Sequence, residues 1–208
     1  MMKRLQGYKI LTTFLYRFIC NIIIPIIIII GGIIGYNYFN ITAFYLIIGV
    51  LMLLEIIEDY WGFCGIFKKG TRKLDFIKTS FKGDSYLKKA FFTDIIIRPI
   101  RIFLVLFISS LVYLRQIDSL ILIAVGFVVT SFISISLINI VRYIEMFQIL
   151  MIVASLGTGL GSLLMTLILL SGKYMVILTI ALAILTVISG IITYKHMEKK
   201  IKDSYYDL

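Results

Sequence analysis

Long stretches without a single charged residue are the feature that most restricts how this 208-residue chain can fold. Such stretches, largely apolar, cover residues 18–54, 119–141, 146–172 and 174–194. A helix needs about 20 apolar residues to cross the ~30 Å hydrocarbon layer of a bilayer, so the first stretch can hold two helices joined by a turn. The chain is 61% hydrophobic and 15% charged, whereas soluble domains are about 45–50% apolar and about 25% charged. The sequence therefore predicts an integral membrane protein and excludes a soluble domain.

Positive charges are very unevenly distributed between the segments that join these stretches. We interpret the chain as six transmembrane helices, near residues 18–36, 41–57, 95–113, 119–141, 146–172 and 174–194. This arrangement leaves 19 of the 21 Lys and Arg residues on one side, and only Arg115 and Lys173 on the other. Cytoplasmic loops carry such an excess of Lys and Arg. The pattern predicts a single all-α transmembrane domain, residues 1–208, with both termini in the cytoplasm.

The abundance of Ile, Lys, Phe and Tyr points to an AT-rich bacterial genome, so we place the protein in the bacterial plasma membrane. A net charge of +10 could indicate nucleic-acid binding. Here basic loops that face anionic lipid headgroups explain it. Membrane lipid is therefore an expected partner, and nucleic acid is not.

Further helical structure is expected next to the spans. Residues 1–17 are basic with interspersed apolar side chains, which predicts an interfacial helix along the inner headgroup layer. A helix from near Tyr86 is expected to run into the third span. Pro25 and Pro99 are expected to bend the first and third spans.

The longest polar segment covers residues 61–94 and is predicted to face the cytoplasm. Leu74, Ile77 and Phe81 recur at helical spacing within it, which predicts a short amphipathic helix. Gly83 is expected to end this helix. Its apolar face requires a partner, either the membrane surface or a groove in another protein.

Three acidic residues lie at the end of the second span. Glu58 and Asp59 mark the boundary of that span and are expected to be solvated. Glu55 lies about a turn deeper, where a carboxylate is costly and is a functional-site candidate by default. It is expected either to pair with a lysine of the polar segment or to line a transport pathway.

A second charged group begins the third span. Asp94 and Arg98 stand four residues apart, the spacing at which side chains of one helix form an ion pair. With Arg101 nearby, they are predicted to form an interfacial clamp rather than a substrate site.

Glycines Gly157, Gly159 and Gly161 interrupt the uncharged stretch 146–172, the predicted fifth span. They lack the Lys-Ser/Thr that follows the glycines of a P-loop. Gly157 and Gly161 have the small-x-x-x-small spacing of close helix contacts, and a gate in the transport pathway is a further possibility. A helix broken here could return to the membrane surface as a re-entrant hairpin.

Signs of catalysis or metal binding are weak. Cys20 and Cys64 are far apart with no C-x-x-C motif, and His196 is the only histidine. No metalloprotease, lipase-type or nucleotide-binding motif is present. The chain is therefore expected not to be an enzyme and to hold no metal or cofactor.

Around the amphipathic helix, the chain resembles the type-2 ABC transporter permeases. Those proteins carry a Gly-Thr pair, a short Leu-rich amphipathic helix, a break with Ser, and a helix that ends in Lys-Ala before the third span. The matching positions are Gly70, Thr71, residues 74–78, Ser85, Lys89 and Ala90. Lys82 and Gly83 stand where the family has a proline. The interfacial helix, six spans and long inner loop are similar to that family over the whole chain, and the glycine-interrupted fifth span is similar to its re-entrant outer helices.

The resemblance implies a coupling helix that docks into a separate ATPase. Leu74, Ile77 and Phe81 would supply its apolar contact, and Asp75 and Lys78 would set its orientation. It further implies a transporter of two permease subunits, identical or related, and two ATPase subunits that bind ATP and Mg. The chain would be the permease of an ABC exporter for a peptide, such as a bacteriocin in self-protection, or for another amphipathic compound.

Two other functions stay open. A substrate-binding membrane component of a vitamin importer has a similar size, although it does not need a long basic loop. A membrane-embedded peptidase or lipid enzyme is the third possibility. The peptidases with this number of spans need a His–Cys pair in an inner segment, and Cys64 has no histidine close in sequence.

Overall fold

A computed structural model describes residues 12–39, 42–63, 83–113 and 118–206, and every regular element within these ranges is helical. Helix α1 combines an α-helical turn at Phe14–Phe18, a π-helical turn at Ile19–Ile23 and an α-helix at Ile24–Phe39. The other helices are α2 at Thr42–Phe63, α3 at Gly83–Tyr113, α4 at Asp118–Val141, α5 at Phe147–Leu170 and α6 at Met175–Tyr206.

Local sequence explains where two of these helices begin or end. The Thr13 hydroxyl accepts a hydrogen bond from the Tyr16 N–H at 3.1 Å, which caps the start of α1. A 3₁₀ turn, Gly172–Tyr174, separates α5 from α6. Its first residue, Gly172, has φ of 55°, a left-handed conformation that glycine adopts without steric cost.

Helix α4 is the centre of the bundle and packs against α2, α3, α5 and α6. Of its most apolar segment, 67% is buried, whereas the corresponding fraction of α6 is 6%. Helix α1 packs on α2 and α3 at the side of the bundle. Most apolar side chains of α1, α5 and α6 therefore face outward, as expected for helices surrounded by lipid.

Four helices have the length and apolar character to cross a membrane, which is compatible with a membrane protein. These segments are Phe14–Gly35, Leu120–Val141, Phe147–Leu170 and Gly172–Asp203. Helices α2 and α3 are also long enough, but α2 carries Glu55, Glu58 and Asp59, and α3 carries Asp94, Arg98 and Arg101 as well as Asp84, Lys88 and Lys89. Their suitability for a membrane depends on how those charges are neutralised.

The predicted helical regions are present, with different ends. Helix α2 continues past the predicted boundary at residue 57 to Phe63. Helix α3 begins at Gly83, three residues before the predicted start near Tyr86, and contains Pro99 within its length. Helix α6 extends through the charged tail to Tyr206. The interfacial helix at 1–17 is described only from residue 12, and the predicted coupling helix at 74–81 lies outside the described residues.

Helix α5 is continuous through its glycines, so the broken helix with a re-entrant hairpin is wrong. The glycines instead allow close packing, as the spacing indicated. A Cβ on Gly157 would lie 2.6 Å from Leu137 Cδ1 and 3.1 Å from Ile56 Cδ1, and one on Gly161 would lie 3.0 Å from Met52 Cε. The two glycines let α5 approach α2 and α4.

We expect Gly157→Leu to destabilise the protein by about 1–3 kcal/mol, because the larger side chain overpacks this contact. Gly159→Leu is the matched control, since a Cβ there meets nothing within 4 Å. The free energy of unfolding in detergent measures both. Equal effects of the two substitutions would show that the α5 contact is looser than its geometry indicates.

Candidate functional site

Seven charged side chains come together where α2 ends and α3 begins, and we call them the buried ion network. Its members are Glu55, Glu58 and Asp59 of α2, Asp94, Arg98 and Arg101 of α3, and Arg142, which follows α4. All except Arg101 are no more than 3% exposed. Burial of this many charges requires pairing, because an isolated ion is very costly away from water.

Arg98 joins α3 to α2. Its Nε donates to Asp94 Oδ2 at 3.1 Å within α3. Its Nη2 pairs with Asp59 Oδ1, and its Nη1 donates to the Glu55 carbonyl oxygen at 3.3 Å. The guanidinium therefore fastens α3 to residues of α2 that are 43 and 39 positions away in sequence.

Arg142, which follows α4, pairs with the Asp59 and Asp94 carboxylates that also contact Arg98. Its Nη2 lies 2.5 Å from Asp94 Oδ2 and 3.0 Å from Asp59 Oδ1, and its Nε donates to Asp59 at 3.2 Å. The side chain is fully buried. Its guanidinium lies over the rings of Phe63 and Phe91, 4.3 Å and 4.9 Å from their centroids, in cation–π geometry.

The remaining donor of Arg142 reaches α6. Nη1 lies 2.8 Å from the Met197 sulfur, which is a weak acceptor. Met197 is buried in an apolar cluster with Phe63, Leu87, Phe91 and Ile138. Arg142 therefore touches α2, α3 and α6 from a position just after α4, and it ties four helices together.

Arg101 extends the network to α1. Its Nη2 lies 2.6 Å from Glu55 Oε1 and 2.6 Å from Glu58 Oε2, and its Nε donates to Glu55 at 2.9 Å. Its Nη1 donates to the Cys20 carbonyl at 3.3 Å and to Asn21 Oδ1 at 3.2 Å.

The π-helical turn of α1 explains why the Cys20 carbonyl is available to Arg101. The N–H of Ile24 donates to Ile19 instead of Cys20, and Pro25, the next residue, has no N–H to donate. An unpaired buried carbonyl is costly, and Arg101 supplies its donor. The bend predicted from Pro25 is thus a π turn that serves as a docking point for α3.

The charge balance of the network is uneven, with four carboxylates against three guanidiniums. Glu55 Oε2, Glu58 Oε2 and Asp59 Oδ2 are buried and accept no hydrogen bond from the described residues. Glu55 Oε2 nevertheless lies 3.7 Å from Arg98 Nη1, and Glu58 Oε2 lies 2.6 Å from Arg101 Nη2. Paired charges of this kind are a rigid and costly arrangement. Within the described part of the chain, no group of His, Cys, Asp or Glu side chains could hold a metal ion. The site is built to fasten helices together.

Several predicted site residues meet in this network, some of them in a different role. The Asp94–Arg98 ion pair is confirmed, and both side chains are buried in the bundle. Glu58 and Asp59 are buried, so the prediction that they are solvated is wrong. Glu55 pairs with Arg98 and Arg101 instead of a lysine.

Two further outcomes concern residues outside this set. Arg142 lies between the predicted spans 119–141 and 146–172, and no local pattern marks it as a network residue. Gly157 contacts Ile56, next to Glu55 in sequence, and it does not touch the network. The predicted ATPase-contact residues Leu74, Asp75, Ile77, Lys78 and Phe81 lie outside the described residues.

The fold and the site define an all-helical protein with four helices able to span a membrane and a buried ion network that binds its helices together. No known protein family, curated protein or solved structure matches this chain.

Proposed function

We propose that this chain is the permease subunit of an ATP-driven ABC exporter in the bacterial plasma membrane. It crosses the membrane six times with both termini in the cytoplasm, and it moves a peptide or another amphipathic compound. It binds no nucleotide itself. ATP and Mg are bound by a separate ATPase, present in two copies with two permease subunits.

The buried ion network is the observation that carries the proposal. Residues 64–82 connect α2 to α3 in the sequence, and the network fastens these two helices to each other. Through Arg142 and Arg101 it also fastens them to α6 and α1. A force applied to residues 64–82 would therefore move α1, α2, α3 and α6 together instead of bending one helix.

The network also explains how α2 and α3 can cross a membrane. Most of the network charges that these two helices carry are neutralised by contacts at or below 3.3 Å with the other helix or with Arg142. Ion-paired side chains that face the interior of a bundle are the usual form of charge within membrane helices. Six crossings are thus compatible with the charges of α2 and α3.

The expected mechanism is a rigid-body motion. When ATP draws the two ATPase subunits together, the coupling helix that contains Leu74, Ile77 and Phe81 moves with them. The aromatic contact between Phe63 and Phe91, with ring centroids 6.0 Å apart, lies at the ends of both helices that border the segment. The motion passes through this contact and the network to the whole bundle, and changes the path between the two permeases.

Leu74→Asp and Ile77→Asp test the proposal. Each places a carboxylate on the apolar face of the predicted coupling helix, and we expect loss of ATPase co-purification from native membranes. Thr79→Asp is the matched control, because residue 79 falls on the opposite face of that helix. Membrane insertion and the size-exclusion profile in detergent should be unchanged in all three variants.

An ATPase that still co-purifies with Leu74→Asp and Ile77→Asp would contradict the coupling role of this face. Equal loss in Thr79→Asp would mean that charge in the segment, rather than the apolar face, controls binding. Transport by the purified chain alone, without any ATPase, would contradict the function itself.

A further inference from the structure

An elongated apolar groove runs along the side of the bundle between α1 and α2. Its volume is about 510 Å³, within the range of small-molecule sites. On the α1 side it is lined by Gly31, Gly32 and Gly35, and on the α2 side by Leu46, Val50 and Leu54. The three α2 residues are spaced four apart, so they form one stripe that extends for about 12 Å along the helix axis. The groove therefore follows the α2 axis over about two turns.

The glycines of α1 create this space. A Cβ built on Gly31 would meet nothing within 4 Å, so the space above it is open. The side chains at the groove edges are well exposed, including Leu46 at 59% and Val50 at 47%. In hydrocarbon, an unfilled groove next to these side chains would forfeit their dispersion contacts.

The end of the groove nearest the network is polar. A smaller cavity of about 10 Å³ shares Ile24, Ile28 and Leu54 with the groove and is also lined by Glu55, Glu58 and Arg101. Arg101 is the most exposed of the three network guanidiniums, with 11% of its side chain accessible. An apolar length that leads to charged groups matches a molecule with a hydrocarbon chain and a polar head.

We propose that this groove is a specific lipid site that holds one acyl chain of a phospholipid from the inner leaflet. The acyl chain lies along Gly31 and Gly35 in contact with Val50 and Leu54, and the lipid head group lies at the end of the groove near Arg101. The medium around α1 supplies this ligand, because only 17% of its apolar segment is buried by the rest of the chain. The bound chain completes the packing between α1 and α2 that the glycines leave open.

Gly31→Phe tests the site, because the phenyl ring fills the groove without meeting protein atoms near its Cβ. We expect native mass spectrometry of the detergent-purified protein to show one retained phospholipid in the parent chain. In Gly31→Phe, the lipid-bound fraction should fall about tenfold, which corresponds to about 1.4 kcal/mol of lost contact. Gly159→Phe is the matched control, since Gly159 of α5 also has open space within 4 Å, and it should keep the lipid.

Photocrosslinking keeps the proposal testable if Gly31→Phe fails to fold. A phospholipid with a diazirine in its acyl chain, added to the parent protein in vesicles, should label α1 and α2 peptides around Gly31 and Val50. Labelling spread evenly over α1, α5 and α6 would overturn the proposal, as would unchanged lipid retention in Gly31→Phe. A changed oligomeric state in Gly31→Phe without loss of lipid would assign the groove to a second copy instead. None of these outcomes depends on whether an ATPase binds the chain.

Discussion

Replacing Arg142 by methionine is expected to destabilise the folded bundle by about 3–5 kcal/mol, the usual cost of removing one partner from a buried ion pair. Asp59 and Asp94 would each lose a guanidinium contact at 3.0 Å or less. The rings of Phe63 and Phe91 would also lose the cation stacked on them. Because these losses fall on contacts between four helices, unfolding should also lose cooperativity.

The free energy of unfolding in mixed detergent micelles measures this effect. Trp61, the only tryptophan, contacts Tyr16 at the end of α2 and provides a local fluorescence probe. Arg142→Lys should recover part of the stability, since lysine keeps the charge but lacks the planar fork of arginine. The exposed residue Lys199 gives the control Lys199→Met. A stability of Arg142→Met within about 0.5 kcal/mol of the parent, the range of surface substitutions, would contradict the network as described.

Because the network has one more carboxylate than guanidinium, removal of a positive charge should lower the free energy of unfolding more than removal of a negative charge. Arg98→Gln leaves four carboxylates against two guanidiniums and should cost about 3–5 kcal/mol. Glu58→Gln removes the excess negative charge. Glu58 Oε2 lies 2.6 Å from Arg101 Nη2 but accepts no hydrogen bond from the described residues, so the substitution removes no hydrogen bond at that atom. The change in unfolding free energy should stay within about 1 kcal/mol, because Arg101 keeps its hydrogen bonds to Glu55.

A second substitution tests whether charge balance causes this difference. Asp59→Asn in the Arg98→Gln background restores the original excess of one carboxylate, so the double variant should be more stable than Arg98→Gln alone. An interaction free energy of about 0.5–3 kcal/mol is expected for residues in one network. Glu198→Gln in the same background is the control, because Glu198 pairs with Lys88 at 3.1 Å, outside the network. Equal recovery by both second substitutions would rule out a local charge effect.

Structural features that depend on the sequence of a single helix could be predicted. Uncharged length placed five of the six long helices, all except α3, and the four-residue spacing of Asp94 and Arg98 predicted their ion pair. The spacing of Gly157 and Gly161 predicted close packing, because only small residues let helix backbones approach. These signals need no knowledge of the neighbouring helices.

Contacts between distant segments could not be predicted in the same way. Glu58 and Asp59 look solvated at the end of an apolar stretch, because their partners are 43 and 39 residues away, at Arg101 and Arg98. Arg142 lies in a short turn with no helical pattern around it, yet it is fully buried. The buried ion network could be suspected only from a count of charges, since three acidic residues in one long apolar helix need positive partners from other helices.

The π turn of α1 could be predicted only in part. Pro25 indicated a bend, but the position of the free Cys20 carbonyl depends on which N–H groups its neighbours donate. Its use depends on Arg101 of another helix. The sequence around Pro25 thus predicted that α1 is irregular there. The contact of the Cys20 carbonyl with Arg101 depends on the packing of α3 and could not be predicted.

The central claim is that this chain transmits work from a separate ATPase to a membrane bundle held together by its ion network. Native mass spectrometry of the complex extracted from the membranes of its own cells tests it most directly. The account predicts an assembly with two permease subunits, of which this 23.8 kDa chain is one or both, and two copies of an ATP-binding subunit that dissociates in Leu74→Asp. Recovery of this chain without any ATP-binding subunit, in membranes that still carry out its transport, would contradict the account.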